Sequence, residues 1–376
     1  MNKIIKKLII LAIVVVLVII GFVIINKTNL LGKNATKLKS VEGITVVPTM
    51  EDTITEDSSW CGTFQLVWND MKNEVVKKDI VFDPQLKIVE NLNKEDFNEK
   101  MISDEYYFKI YGLKSIDLKE QIENSVKEKF NQTSDILYDA DWSEDNLDDP
   151  ENPSVRRYFF YTMLYKKFDF LRDFDKLDNE KFGQKYKNVE YFGIDENTKD
   201  IVGKQITVMY YNSKDDFAVL ISSKTNDQVI FCKSPKGRTF NEIYDNMYEE
   251  SDKYTGSKSF EEIDEFKAPK LEFNEKREYE ELENKQFETA DPVYDRAEIL
   301  KAMQSIKFSL DEKGGEIKSS AWADLAMIAT AAQIEPEKEK KPRYFYVDDT
   351  FVIFLKEQGK AKPYFAARID DITKYQ

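Results

Sequence analysis

Residues 306–316, IKFSLDEKGGE, contain an abrupt change of pattern that decides the fold. The first five residues alternate between apolar and polar side chains, which is typical of a β-strand with one buried face. The next six residues are charged or glycine, and they end the strand. Small and apolar residues follow, and then a loop rich in Pro, Glu and Lys that reaches Pro342. The sequence therefore predicts a strand that leads into a long connection.

Further elements lie on both sides of this segment. Two strand-like runs separated by the polar residues 356–360 predict a closing hairpin over Tyr344–Leu355 and Pro363–Ile369. Shorter β-rich runs between polar turns occur at Gln205–Tyr211, Phe217–Ser222 and Gln228–Cys232. Apolar residues at helical spacing predict helices over Phe97–Met101 and Leu118–Phe130. Because the connections between strands are short, we expect an α+β fold with mostly antiparallel pairing.

The order of these features resembles the serpin family. In that family a strand ends in Asp-Glu-x-Gly-x-Glu, a mobile reactive loop follows, and a hairpin closes the chain. Residues 310–316 (LDEKGGE) are similar to the first motif, and residues 348–355 (DDTFVIFL) stand where serpins have Asp-Arg-Pro-Phe-Leu-Phe. Residues 363–369 (PYFAARI) look like the last strand.

The resemblance extends upstream to about residue 155. Residues 163–174 (MLYKKFDFLRDF) are similar, without a gap, to the family stretch Ala-Leu-Tyr-Phe-Lys-Gly-x-Trp-x-x-x-Phe. Residues 268–273 (APKLEF) look like the strand that contains Pro-Lys-Phe. Before residue 155 the family's Asn-x-x-x-Ser-Pro-x-Ser motif is not recognisable, and residues 59–66 (SWCGTFQL) occupy its place.

The resemblance implies a serpin-like fold with a large mixed or antiparallel sheet, helices packed on it and an exposed reactive-type loop. It also implies a mechanism in which a protease cuts the loop to form an acyl-enzyme, after which the cut loop inserts into the sheet and distorts the protease. The expected hinge residues are Glu312, Gly314, Gly315, Glu316, Ile317, Ser319 and Ser320, and the expected scissile region is Met327, Ile328, Ala329 and Thr330. Phe170 replaces the family's Trp at the position where the loop enters the sheet.

The loop sequence itself supports insertion and also opposes it. From Gly315, alternate residues are uncharged and mostly small or apolar, as burial of one strand face requires. However, inhibitory serpins have small residues directly after the glutamate, whereas Ile317 is bulky and would be buried early. The same residues also fit one face of an Ala-rich helix. The sequence therefore predicts an inhibitor of a serine protease, or of a cysteine protease, and leaves a non-inhibitory binding module at the cell surface as the alternative.

The N-terminus predicts a membrane anchor. Residues 1–7 carry three Lys, and 18 uncharged, mostly aliphatic residues follow from Leu8 to Ile25, nearly enough to span a bilayer as a helix. No small-residue cleavage motif follows Ile25. We therefore expect an anchor over residues 1–25, a flexible linker over 26–57 and a monomeric serpin-like domain over 58–376. The basic flank places this domain outside the plasma membrane.

Composition excludes many other functions. The chain has no His, so it holds no Ser-His-Asp system and no His-ligated zinc, and its two Cys, Cys61 and Cys232, are interpreted as buried thiols. The net charge of −15 argues against a nucleic-acid partner. Asp139, Asp141, Ser143 and Asp145 alternate like calcium ligands, but Glu144 and Pro150 break the template, so no metal and no cofactor are expected. A carboxylate glycosidase stays open as a rival, which a screen on polysaccharides would test.

Overall fold

The computed structural model describes residues 43–142, 155–166, 169–195, 198–314 and 341–376. Its strands, in chain order, are β1 (Thr45–Val47), β2 (Ser58–Cys61), β3 (Tyr107–Leu113), β4 (Val155–Tyr165), β5 (Asp175–Lys176), β6 (Glu180–Phe182), β7 (Tyr186–Val189), β8 (Tyr191–Gly193), β9 (Ile206–Ser213), β10 (Asp216–Ser222), β11 (Asp227–Lys233), β12 (Glu265–Pro269), β13 (Leu271–Glu278), β14 (Gln286–Glu288), β15 (Arg296–Leu310), β16 (Tyr344–Tyr346), β17 (Phe351–Glu357) and β18 (Phe365–Ile369). The α-helices are α1 (Thr63–Asp70), α2 (Lys87–Leu92), α3 (Ile116–Phe130), α4 (Lys199–Val202) and α5 (Phe240–Lys253). A π-helical turn, Met71–Val76, continues α1.

A seven-stranded sheet in the order β1-β2-β18-β17-β11-β10-β9 contains the most buried strands. Phe351 to Leu355 of β17 are all fully buried, so both faces of this strand are covered. The run is continuously apolar for this reason, since a strand with one solvated face would alternate. The sheet forms the main hydrophobic core together with α5 and the smaller sheet β16-β12-β8-β5.

A second large sheet has the order β13-β15-β4-β3, with β14 also paired to β15. The neighbours β13 and β15, and β4 and β3, are antiparallel. The two central strands, β15 and β4, are parallel, from Arg296 beside Val155 to Lys307 beside Tyr165. We call this parallel junction the seam. The three parallel pairs among the described strands are the seam, β1 with β2, and β12 with β16, so the expected excess of antiparallel pairing is present.

Helix α3 covers one face of this sheet. Ser115 caps its start by accepting a hydrogen bond from the backbone N–H of Leu118, and the left-handed residue Asn131 ends it. Its apolar residues recur every fourth position and pack on residues of β4 and β15, namely Phe159, Tyr161, Met163 and Met303. Tyr161 and Met303 lie opposite each other across the seam. The helix therefore contacts both strands of the seam.

Several predicted boundaries are corrected by the structure. Residues 43–57, predicted as linker, belong to the folded part, because β1 pairs with β2 and Val46, Val47, Met50 and Ile54 are buried. The run 344–355 divides into β16 and β17, which lie in different sheets. Residues 268–273 divide likewise between β12 and β13. Of the helix predicted over Phe97–Met101, a 3₁₀ turn over Glu99–Met101 forms.

The prediction for residues 116–130 is confirmed, and the strands predicted near 205, 217 and 228 are β9, β10 and β11. In the part of the chain that the structure describes, no helix combines the length and the apolar character that crossing a membrane requires. The predicted anchor, and residues 26–42 of the predicted linker, lie outside the described residues.

Candidate functional site

The base of the predicted reactive loop is a tight turn directly after β15. The backbone N–H of Asp311 donates to the Gly314 carbonyl at 2.8 Å, and the Gly314 N–H donates back to the Asp311 carbonyl at 3.1 Å. The Asp311 carboxylate also accepts from the Lys313 N–H at 2.8 Å. Gly314 has φ +109°, a conformation that glycine adopts without the strain of a side chain. The chain therefore reverses its direction between Asp311 and Gly314.

This turn is held by the segment that follows β4. The Phe170 N–H donates to the Lys313 carbonyl at 2.9 Å, and the Phe174 N–H donates to the Glu312 carbonyl at 2.7 Å. Phe170 is completely buried, and its ring meets that of Phe174 edge to face with centroids 4.9 Å apart. The structure thus brings the predicted loop-entry residue Phe170 beside two predicted hinge residues, Glu312 and Gly314.

An ion pair also holds the 311–314 turn, and its cation comes from the connection between β12 and β13. Lys270, between β12 and β13, places its Nζ 2.7 Å from a carboxylate oxygen of Glu312. Burial raises the pKa of Glu312, but the hydrogen bond and charge of Lys270 outweigh burial and hold that pKa below its ordinary value. Glu312 is therefore charged at neutral pH. The turn is joined to β13 as well as to the segment after β4.

A buried hydrogen-bond network bridges the seam. Gln304 of β15 and Thr162 of β4 lie opposite each other, and Thr63 at the start of α1 contacts both side chains. The Gln304 Nε2 donates to Thr63 Oγ1 at 2.8 Å, and Thr63 Oγ1 donates to Thr162 Oγ1 at 3.3 Å. The Tyr279 hydroxyl donates to Gln304 Oε1 at 2.7 Å. Because all these groups are buried, separating β15 from β4 removes hydrogen bonds that water does not replace at once.

A second buried polar cluster lies at the end of the seam nearest the loop. Lys166, one residue after β4, is completely buried, and its Nζ lies 2.9 Å from Asp227 Oδ2 at the start of β11. Sequence reasoning missed this pair and also missed Thr63, Thr162 and Gln304. The family stretch quoted above has Phe at the position of Lys166, and this mismatch is the signal that points to it.

The other predicted site residues lie outside the described residues: Gly315, Glu316, Ile317, Ser319, Ser320, Met327, Ile328, Ala329 and Thr330. Cys61 and Cys232 are both buried and free, as expected, and burial raises the pKa of each thiol to about 12. Within the described residues, no group of three or more acidic or Cys side chains has the arrangement of a metal site.

Comparison with known proteins gives likenesses of structure alone. No protein-family model matches the chain, and no curated protein matches it. The similar solved structures include Serpin48 of the insect Tenebrio molitor (15% identity, 67% of this chain, 64% of that chain, TM-score 0.39). They also include SRPN18 of Anopheles gambiae (9% identity, 68% of this chain, 66% of that chain, TM-score 0.42). A third is human thyroxine-binding globulin (12% identity, 81% of this chain, 88% of that chain, TM-score 0.42).

The chain thus spans slightly less than two thirds of the length of the two insect proteins. With identities of 9–15% and TM-scores of 0.39–0.42, the activities of those proteins are not transferred to this chain.

Proposed function

We propose that the chain is a serpin-like suicide-substrate inhibitor of a serine protease, with a cysteine protease as the other possible target, displayed on the outer face of the plasma membrane. The observation that carries this proposal is the seam. A strand that ends in a tight reversal is paired in parallel with its neighbour, and the predicted reactive loop begins at that reversal.

The parallel seam suits the insertion of a strand. After the turn at 311–314, an inserted strand would run antiparallel to β15, and therefore antiparallel to β4 as well, because β4 and β15 are parallel. Insertion replaces one parallel ladder by two antiparallel ladders. Each new backbone hydrogen bond contributes about 1 kcal/mol net, so a ladder along the 11 residues of β4 contributes on the order of 10 kcal/mol.

The length of the loop also agrees with insertion. A cut after Met327 releases the residues from 315 to 327, which extend over roughly 40 Å at about 3.3 Å per residue. The 11 residues of β4 extend over roughly 36 Å on the same basis. A cut anywhere in the expected scissile region therefore frees a strand that reaches the far end of the seam.

The chemistry belongs to the target protease. Its nucleophile attacks the carbonyl carbon at the cut bond, the peptide nitrogen leaves with a proton, and an ester or thioester joins the protease to the residue directly before the cut, at the end of the released segment. Insertion moves this end away from its starting position before water completes the cycle. The inhibitor supplies the cleavable loop and the seam that receives it, and no catalytic residue of its own takes part.

The partner is proposed as an extracellular protease met by a monomeric, membrane-tethered domain. Support for the tether comes from the apolar residues 8–25 and the basic flank before them. A large aliphatic residue in the scissile region, such as Met327 or Ile328, suits proteases of elastase or subtilisin type.

The test is to nick the full-length chain with elastase or subtilisin and to compare thermal unfolding before and after one cut between Gly315 and Pro342. An added ladder of on the order of 10 kcal/mol predicts a rise in Tm of roughly 15–20 °C for a domain of this size. A covalent complex with the protease on a denaturing gel is expected next. An unchanged Tm contradicts the inhibitor and leaves the binding module, which the bulky Ile317 favours.

A further inference from the structure

A completely buried lysine, Lys166, lies at the end of the seam nearest the loop, which we call the mouth of the seam. The last paired residues of β4 and β15 are Tyr165 and Lys307, and the next N–H, that of Lys166, donates to the Lys307 carbonyl at 3.3 Å. The Lys166 ammonium lies 2.9 Å from Asp227 and over the ring of Tyr106. Both charged side chains of this pair are fully buried. An inserting strand has to enter at this point.

Asp227 joins the end of β4 to the seven-stranded sheet. Its carboxylate accepts hydrogen bonds from the Tyr364 hydroxyl at 3.1 Å and the Thr225 hydroxyl at 2.8 Å, so its position is fixed. The turn before Asp227 also contacts the segment after β4, because the Lys224 N–H donates to the Asp169 carbonyl at 2.7 Å. If β4 moves away from β15, Lys166 moves relative to Asp227, whose position is fixed by its hydrogen bonds.

A buried ion pair of this kind contributes little net stability, because removing both charges from water costs about as much as their attraction returns. Separating the two charges without exposing them is costly, however, and this makes the pair sensitive to movement. Admitting a strand requires β4 and β15 to move apart by about 4.8 Å. A displacement of that size at Lys166 breaks a contact of 2.9 Å.

We propose that the Lys166–Asp227 ion pair is a latch that holds the mouth of the seam closed and sets the rate at which the cut loop enters the sheet. The proposal rests on the inhibitor function proposed above and makes Lys166 a positioning residue, since it does not touch the protease.

The charges around Lys166 give the latch a pH dependence. The acidic groups that act on it are Asp227, Glu357 and Glu105, and the phenols that face it are Tyr106 and Tyr364. Burial lowers the pKa of Lys166 to about 8, although these acids partly oppose the shift. Above that pH the Lys166 amine is neutral, and Asp227 no longer has a cation beside it. The latch therefore weakens as the pH rises through about 8.

The test compares two ion pairs that each have one member on β11. Lys166→Met/Asp227→Asn removes both charges, keeps similar volumes and retains an oxygen that accepts from Tyr364. The matched control is Lys233→Met/Asp348→Asn, because the Lys233–Asp348 pair, 2.7 Å apart, lies at the other end of the same strand and away from the seam.

Hydrogen exchange of the uncut, full-length protein measures opening of the seam. At pH 7 we expect amide protection at residues 304–308 to fall at least tenfold in the latch variant and to stay unchanged in the control. After nicking, the gain in thermal stability should develop at least tenfold faster in the latch variant. In the wild type, protection corrected for intrinsic exchange should fall between pH 7 and 9, and the latch variant should show no such step.

Equal protection in the latch variant and the wild type overturns the proposal, and so does an equal loss in the control. Corrected amide protection at residues 304–308 that stays constant from pH 7 to 9 in the wild type also overturns the proposal. This measurement does not depend on the folding of a variant. If the nicked wild type gains no stability, the inhibitor function fails, while the exchange result still decides whether the latch exists.

Discussion

Thr63→Val tests whether the buried network holds the seam together. Thr63 is completely buried at the start of α1, and its hydroxyl joins Gln304 of β15 to Thr162 of β4. Valine replaces the hydroxyl by a methyl group of similar size, so the substitution chiefly removes the hydrogen bonds of Thr63. The expected effects therefore arise mainly from the hydrogen bonds.

The size of the effect follows from the contacts. Gln304 Nε2 keeps its second acceptor, the Cys61 carbonyl at 3.1 Å, whereas Thr162 loses its contact with Thr63. The substitution removes the hydrogen bonds of Thr63 to Gln304 and Thr162 and its weak contact with Cys61 Sγ at 3.4 Å, which together cost about 2 kcal/mol. For a domain of more than 250 residues, this lowers Tm by roughly 4 °C.

The assay is thermal unfolding of the uncut and the nicked protein. In the uncut form we expect the full decrease, and in the nicked form a smaller one, because an inserted strand has already separated Gln304 from Thr162. The control Thr207→Val changes an exposed residue of β9 and should stay within about 0.5 kcal/mol. A decrease in the uncut form no larger than the control's refutes the bridging role of Thr63. Equal decreases in the two forms, where nicking has raised Tm, refute the separation of Gln304 from Thr162.

Three further predictions follow from single groups. Glu275 is buried beside Ser59, and burial raises its pKa from 4.5 to about 7. Its stabilising effect is therefore complete below pH 4.5 and is lost as the pH rises through 7. Glu275→Gln should raise stability at pH 8 by roughly 3 kcal/mol and flatten the decline in Tm between pH 5 and 8, and an unchanged decline contradicts this assignment. Lys270→Met removes the ion pair with Glu312 and should increase hydrogen exchange at the 311–314 turn several-fold, with a stability loss of about 1 kcal/mol; unchanged exchange means that the turn is held by its backbone contacts alone. Ile317→Ala should speed loop insertion and raise the yield of covalent protease complex if the chain is an inhibitor, and should change neither if it is a binding module.

Local patterns in the sequence predicted many of the elements. The fourth-residue spacing of Leu118, Ile122, Val126 and Phe130 identified α3, since burial on one face requires that period. The change at residues 306–316 identified the end of β15 and the start of the loop, because charged residues and glycine end a strand locally. The linker boundary was placed too late because β1 has three residues, too few to show a period.

The candidate site was predictable in part. The ordered motifs marked Phe170, Glu312 and Gly314, which the structure places together. They did not mark Lys166 or Gln304, because a single Lys or Gln within an apolar run has the same appearance whether it is buried or solvated. Whether such a side chain is buried, and which group it contacts, depends on how the whole chain packs.

By itself, the sequence determined the α+β class, the position of the loop base and, through the absence of His, the exclusion of most catalytic classes. Only the tertiary structure decided that β15 lies parallel to β4, that Thr63 bridges them, and that Lys166 meets Asp227 in the interior. The reason is that periodicity specifies which face of a strand is buried but not which strand lies beside it. The partners that pair between β4 and β15 are 141 or 142 residues apart in the sequence, and the packing of the whole domain selects them.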